Sequence, residues 1–259
     1  MYLVTVHRWQ QETTVVAEVI APALNILVFE ARQKITGGEP VTIASFAEKN
    51  QAEELAAKLT QADIPTLVID PQLVREQNRH QQVAYFTFGT ESLQIKTFSD
   101  ELFAIGYKTL DLLLLATCGT GQGETSTTTT QRKFSMGKTL LAGGIPMTKK
   151  ITTTEIAKSD ERDKTLWIYT NTGETLIFTC NTLSYAGLGE ARQMTRNLNF
   201  SYLLQEIRRL APQAHYDDRL LNRVGQVQIL GPLLNPDTDL DLAFALLSRS
   251  LKTDLHKNS

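Results

Sequence analysis

Residues 50–70 read NQAEELAAKLTQADIPTLVID, and they join a helix pattern directly to a strand pattern. The apolar residues of the first half recur with the i, i+3, i+4, i+7 spacing of one helix face: Ala52, Leu55, Ala56 and Leu59. Residues 64–69 are then rich in β-branched side chains and indicate a strand. We therefore expect the helix to pack on the sheet that this strand joins.

The residues upstream extend the same pattern towards the amino terminus. A strand is predicted at Tyr2–Val6, a helix at Val15–Ile20 that Pro22 closes or kinks, a helix at Asn25–Ile35 that Gly37 and Gly38 end, and a strand at Val41–Phe46. The order is then βααβαβ over residues 1–72. It predicts an α+β module in which three helices cover one face of a three-stranded sheet.

The stretch PALNILVFEARQKITGGEPVTIASF, residues 22–46, together with residues 50–70 resembles the C-terminal domain of ribosomal protein L7/L12 and its ClpS-like relatives. The resemblance rests on Glu30 and Ala31 in the second helix, on the Gly-Gly exit, and on the Ala-Glu-Glu-Leu start of the third helix. In that superfamily the fold is a protein-docking surface, so the resemblance implies a binding role for residues 1–72.

The charge of this first module departs from the ribosomal pattern. Residues 1–75 hold six Lys or Arg against nine Asp or Glu, whereas the ribosomal domain offers lysines to translation factors. A ribosomal partner is therefore not expected.

The remaining chain changes character after a polar stretch. Residues 73–82 have no apolar periodicity and predict a linker, and residues 83–211 alternate as strands with one helix, Asn199–Leu210, on a single apolar stripe. This antiparallel β-rich region capped by a helix weakly resembles a pleckstrin-homology-like domain, although a β-sandwich or a split barrel would give almost the same pattern. Residues 212–259 are interpreted as a tail with one helix at Leu240–Leu251.

Length and composition place the protein in a broad class. A chain of 259 residues fits two domains, and its net charge of −2 leaves no whole-molecule field to attract nucleic acid or membranes. The two cysteines do not form the disulfide framework of a secreted scaffold. The start of the sequence has no signal-peptide pattern, and no apolar run is long enough to span a bilayer. We expect a cytoplasmic protein.

The motifs that invite a catalytic or cofactor role fail on their spacing or context. Gly137-Lys138-Thr139 lacks the earlier glycine of a phosphate loop, and Gly119, Gly121 and Gly123 lack the spacing and the following helix of a dinucleotide site. The four histidines (His7, His80, His215 and His256) are scattered, and surface or cap roles are the default for them. His215 with Asp217 and Asp218 could hold a metal weakly, and Cys118 is a candidate thiol without an assignable base. We expect no catalytic, cofactor or metal site.

One segment stands out by its charge. Residues 131–158 hold six basic residues and one acid, in a predicted hairpin at residues 125–156 inserted in the second module. An apolar tip that contains glycine and proline lies between the basic arms. We predict that this hairpin binds a partner through Arg132, Lys133, Lys138, Leu140, Leu141, Ile145, Met147, Lys149 and Lys150. The alternative is a hairpin whose tip folds back on the body and whose lysines are merely solvated.

These observations predict a non-enzymatic adaptor or regulatory protein. The partner would be an unidentified protein with an anionic surface, or the surface of an anionic membrane in peripheral contact. An enzyme with a pocket between the modules is the alternative. Nucleic-acid binding ranks third and is not expected, because aromatic residues are nearly absent around the hairpin apart from Phe134.

Overall fold

The computed structural model describes residues 1–77, 80–119, 124–134, 148–158, 162–232 and 234–255. The chain divides into two compact units, one formed by Met1–Cys118 with Asp163–Ser259 and the other by Gly119–Arg162. We call the first unit the body and describe the second, the hairpin unit, with the candidate site.

The body begins with the predicted α+β module. Its elements are β1 (Tyr2–Val6), α1 (Thr13–Leu24), α2 (Val28–Ile35), β2 (Val41–Phe46), α3 (Lys49–Gln61) and β3 (Thr66–Ile69). β1 lies in the middle of an antiparallel sheet of order β2-β1-β3. The α+β class and the order of the amino-terminal elements are thus confirmed, and Pro22 lies inside α1 rather than ending it.

A second sheet of mixed direction follows. Its strands are β4 (His80–Phe88), β5 (Ser92–Thr97), β6 (Leu102–Gly106), β7 (Leu110–Gly119), β10 (Arg162–Thr170), β11 (Thr175–Thr179) and β12 (His215–Leu220), in the order β12-β7-β10-β11-β4-β5-β6. Two pairs are parallel, β11 with β4 and β12 with β7, so this sheet is not purely antiparallel as the sequence predicted. Short 3-10 turns lie at Tyr107–Thr109 and Ala186–Ala191.

The remaining helices among the described residues are α4 (Pro71–Gln77), α5 (Arg196–Leu210), α6 (Arg223–Leu230) and α7 (Leu240–Leu255). Helix α5 buries Phe200, Leu203 and Ile207 against the seven-stranded sheet, where the sequence predicted a covering helix. The predicted linker at residues 73–82 falls instead in α4 and at the start of β4. The tail likewise contains a strand and a helix, β12 and α6, that its sequence pattern did not indicate.

Three apolar cores hold the body together. One lies between the three-stranded sheet and helices α1–α3, and another lies between α5 and one face of the seven-stranded sheet. The third joins the other faces of both sheets through α4, α6 and α7, with Leu3, Ile69, Leu112, Trp167 and Phe244 among its members. The side chains of β1 and of residues 112–116 in β7 alternate between two cores, as the pleat of a strand requires. The first module therefore shares a core with the rest of the body.

Within the described part of the chain, no single helix has both the length and the apolar composition of a membrane span. The bent pair α1 and α2, which meet at 117°, passes that test only when the two helices are taken together.

Candidate functional site

The hairpin unit contains two long paired strands. β8 (Glu124–Phe134) and β9 (Thr148–Lys158) are antiparallel and pair in unbroken register over eleven positions, from Glu124 with Lys158 to Phe134 with Thr148. Three successive pairs in the middle join threonine to threonine: Thr128 with Thr154, Thr129 with Thr153 and Thr130 with Thr152. Such β-branched pairs favour the extended backbone. The predicted basic hairpin is therefore a two-stranded ribbon.

The register places four cationic residues opposite one another at one end of this ribbon. Arg132 pairs with Lys150, and Lys133 pairs with Lys149. Directly opposed residues lie about 4.5–5.5 Å apart at Cα, and like charges at that spacing repel. Because neighbouring pairs alternate between the faces of a ribbon, each face has one cationic pair. We call these four residues the cationic end.

The other predicted partner-binding residues lie outside the described residues. They are Lys138, Leu140, Leu141, Ile145 and Met147, and the Gly137-Lys138-Thr139 motif lies there as well. The structure therefore places four of the nine predicted residues and brings those four together in two adjacent cross-strand pairs.

The thiol of Cys118 lies near the end of β7, where it is half-buried. It donates to the backbone carbonyl oxygen of Asp163 at 3.5 Å. Burial, together with the nearby charge of Asp163, raises the pKa of Cys118. A nucleophilic cysteine requires the opposite shift, because the thiolate is the reactive form.

The polar cluster after α5 is held by an ion pair. Asp217 accepts hydrogen bonds from the backbone N–H and the Nε of Arg219, at 2.9 and 2.8 Å. His215 is exposed on β12. Within the described ranges, no three His, Cys, Asp or Glu residues are grouped so that they could hold a metal ion.

A cavity of about 350 Å³ opens in the body between α4, the first residue of β4, β10, β11 and α7. Its lining residues are Val74, His80, Trp167, Tyr169, Gly173, Thr175, Asp241, Ala245, Ser248, Arg249 and Lys252. No residue of the first module, residues 1–72, contributes to this lining. It therefore differs from the pocket between modules that the enzyme alternative supposed.

Aromatic rings form one wall of this cavity. Trp167 stacks on Phe244 with ring centroids 4.0 Å apart, and the ring of His80 meets Trp167 edge-on at 4.3 Å. Tyr169 is buried beside them, and burial raises its pKa. The amino group of Lys252 lies over the Tyr169 ring, 4.9 Å from its centroid, which is within the range of a cation–π contact.

Besides Tyr169, two titratable groups at the cavity have shifted pKa values. Burial lowers the pKa of His80, with Asp241 acting in the opposite direction. Burial likewise lowers the pKa of Lys252, and Asp111 opposes that shift. Low-dielectric surroundings thus disfavour the charged form of both side chains.

The sequence pattern indicates a surface or cap role for His80 and does not single out Trp167, Asp241 or Lys252. The one available signal was the spacing on α7, where Asp241, Ala245, Ser248 and Lys252 recur on one helix face. That spacing is also typical of an ordinary packed helix. Only the fold brings these residues to His80 and Trp167, which are distant in sequence.

No family model matches this chain, and no curated protein or solved structure is significantly similar to it. The resemblances to the L7/L12 and ClpS-like fold and to the pleckstrin-homology-like fold therefore stay predictions from sequence pattern.

Proposed function

We propose that this protein is a non-enzymatic adaptor or regulatory protein of the cytoplasm, and that the cationic end of its hairpin docks an acidic surface of a partner protein. The register that opposes Arg132 to Lys150 and Lys133 to Lys149 carries this proposal. Opposed like charges weaken a two-stranded ribbon that is only marginally stable by itself. An anionic partner would relieve the repulsion within the pair on the face that it contacts.

The cationic end differs in charge from the rest of the chain. The whole protein has a net charge of −2, whereas residues 131–158 hold six basic residues and one acid. At the opposite end of the ribbon, Glu124 pairs with Lys158, so the two charges there are complementary. The excess positive charge is thus local, which suits steering of an anionic surface to this end of the ribbon.

The resemblance of residues 1–72 to a protein-docking fold also supports a binding role. An anionic membrane surface is the second candidate for the same residues, since clustered lysines with an apolar neighbour fit both. The positions of Leu140, Leu141, Ile145 and Met147 in the sequence, between the two strands, are common to both candidates.

Affinity capture from an extract of the cells that make the protein tests the proposal. Wild type is compared with R132E/K133E and with the control K58E/K108E, which makes the same charge change at two exposed body residues. We expect a protein that wild type and the control retain and R132E/K133E loses. Equal capture by all three would contradict the proposal. Co-sedimentation with anionic vesicles, without such a protein, would favour the membrane alternative.

A further inference from the structure

Three buried polar atoms at the body cavity meet no hydrogen-bond partner among the residues that the structure describes. They are Nδ1 and Nε2 of His80 and Oδ1 of Asp241. Buried polar atoms in native proteins are nearly always hydrogen-bonded, so a cluster of three in one cavity calls for an explanation. The second carboxylate oxygen of Asp241 accepts from Nε of Arg75 at 3.2 Å, so this side chain is anchored and only one oxygen remains to be paired.

The chemistry of these atoms defines what would complement them. Because its pKa is lowered, His80 is neutral at physiological pH, and a neutral imidazole has one donor and one acceptor nitrogen. The carboxylate oxygen of Asp241 is an acceptor only. The two ring nitrogens of His80 point away from each other, so one bound group reaches only one of them together with the oxygen of Asp241. A primary amide suits that pair, because one N–H donates to the carboxylate and the second N–H or the carbonyl oxygen pairs with the nitrogen.

The other end of the cavity has a cationic side chain, that of Lys252. Asp241 and Lys252 are separated by three turns of α7, or roughly 16 Å along the axis, and both line the cavity. The amino group of Lys252 lies over the Tyr169 ring, and the side chain is partly buried. A carboxylate placed there would stabilise the ammonium form of Lys252.

We infer that this cavity binds a small organic acid that has an amide at its far end, with the carboxylate at Lys252 and the amide at His80 and Asp241. The rings of Trp167, which is backed by Phe244, and of Tyr169 provide the apolar surface along which the connecting carbons lie. A volume of about 350 Å³ is at the lower end of the usual range for small-molecule sites.

Three probes with the same six-carbon chain test the two ends of the cavity independently. Adipamate has both groups, hexanoate lacks the amide, and hexanamide lacks the carboxylate. Binding to the full chain is followed through the indole resonance of Trp167, one of two tryptophans, in nitrogen–proton spectra. We expect saturable shifts with adipamate, and binding at least about tenfold weaker with either of the other two, since a charge-assisted hydrogen bond contributes about that factor.

Matched variants assign each end. Lys252→Met should reduce adipamate to the affinity of hexanamide, and Asp241→Asn should reduce it towards that of hexanoate. Lys58→Met, at an exposed position on α3, is the control and should bind like wild type. Lys252→Gln repeats the first test if Lys252→Met does not fold.

The proposal is overturned if adipamate gives no saturable shift of Trp167. It is also overturned if folded Lys252→Met and Lys252→Gln bind adipamate as wild type does. Every described residue that lines the cavity belongs to the body. Failure here therefore leaves the docking proposal standing, and R132E/K133E should bind adipamate normally.

Discussion

His7 shows how one buried side chain couples stability to pH. It lies near the end of β1 with only 3% of its surface exposed, and its Nδ1 lies 3.3 Å from Oγ of Ser250 on α7. Burial, aided by the charge of Arg8, lowers the pKa of His7 from 6.5 to about 4. The folded protein therefore holds this ring neutral at pH values where the unfolded chain protonates it.

We predict that the free energy of unfolding falls as pH decreases from 6.5 towards 4. The unfolded state binds the extra proton in this window, so acid favours unfolding, and the loss from His7 should reach about 1–3 kcal/mol. Urea unfolding of wild type and His7→Gln across this range measures it.

The variant should show a flatter pH dependence than wild type, with some slope left because burial also lowers the pKa of His80. His215→Gln changes an exposed histidine and should retain the slope of wild type. If His7→Gln and wild type lose stability in parallel, the ring of His7 is not held neutral by the fold.

At the scale of elements, the like charges at the cationic end destabilise the ribbon that carries them. Arg132 with Lys150 and Lys133 with Lys149 are opposed, whereas the threonine pairs between them and Glu124 favour the ribbon. The positive charges of these four residues therefore weaken the ribbon, whereas the proposed docking requires them.

We predict that R132E/K133E stabilises the ribbon while it removes docking. Both cationic pairs then become unlike pairs, which contribute about 0.2–1 kcal/mol each. Amide exchange of β8 and β9 should become slower in R132E/K133E. In R132E/K133E/K149E/K150E the pairs are again alike, and exchange should return towards the wild-type rate.

Slower exchange in the double variant together with lost docking would separate a binding role from a folding role. Exchange that is indifferent to all these changes would mean that the cross-strand repulsion is too small to matter. The opposed charges would then give no support to docking at the cationic end.

Much of the fold could be predicted from period and composition. The bounds of Tyr2–Val6 and Val41–Phe46 were predicted as the structure has them, because apolar and β-branched residues dominate both strands. β12, with the sequence HYDDRL, was missed because an edge strand with polar residues on both faces has no alternation. α6 was missed because it is short and has Gly225 and two β-branched valines in its first turns.

The cationic end could be predicted from the sequence more fully than the cavity. The cationic end was visible in the sequence, since a hairpin pairs residues that are close along the chain. Opposing charges could not be identified before the register was known, because a slip of one residue moves every side chain to the other face. The cavity joins His80, Trp167 and Lys252, which only the tertiary fold brings together.

At the scale of the molecule, the first module covers only one face of its sheet, and the rest of the body covers the other face. Leu3 and Ile69 lie in the core that contains α6 and α7, and the hydroxyl of Thr42 donates to the carbonyl oxygen of Ile229 at 2.8 Å. Gly231 approaches so closely that a Cβ there would lie 2.7 Å from the carbonyl oxygen of Thr42. The three-stranded sheet is therefore covered on both faces.

We predict that a fragment of residues 1–77 is much less stable than the same residues in the full chain. Its outer face would expose Leu3 and Ile69, which are buried in the whole protein, at about 25 cal/mol for each Å² of apolar surface. Amide spectra of the fragment should be poorly dispersed, and addition of the remaining chain as a second fragment should restore dispersion. A well-dispersed spectrum of the fragment alone would contradict the shared core.

The hairpin unit, in contrast, should be removable from the body. β7 and β10 are neighbours in the sheet, Asn171 donates to Thr109 at one end and Cys118 to Asp163 at the other, so the two strands are antiparallel. We predict that replacing residues 120–161 with a two-residue Asn-Gly turn leaves a folded body, because that turn suits adjacent antiparallel strands. Calorimetry should show a cooperative transition close to that of wild type. Loss of that transition would show that the body depends on the hairpin unit.

The dissociation constant for a labelled polyglutamate peptide tests the docking claim most directly. At ~0.1 M salt we predict that R132E/K133E binds at least about tenfold more weakly than wild type, whereas K58E/K108E stays within about twofold. At 1 M salt the Debye length falls to about 3 Å, and the difference between the two variants should vanish. Equal weakening by both variants, or a difference that persists at 1 M salt, would contradict docking at the cationic end.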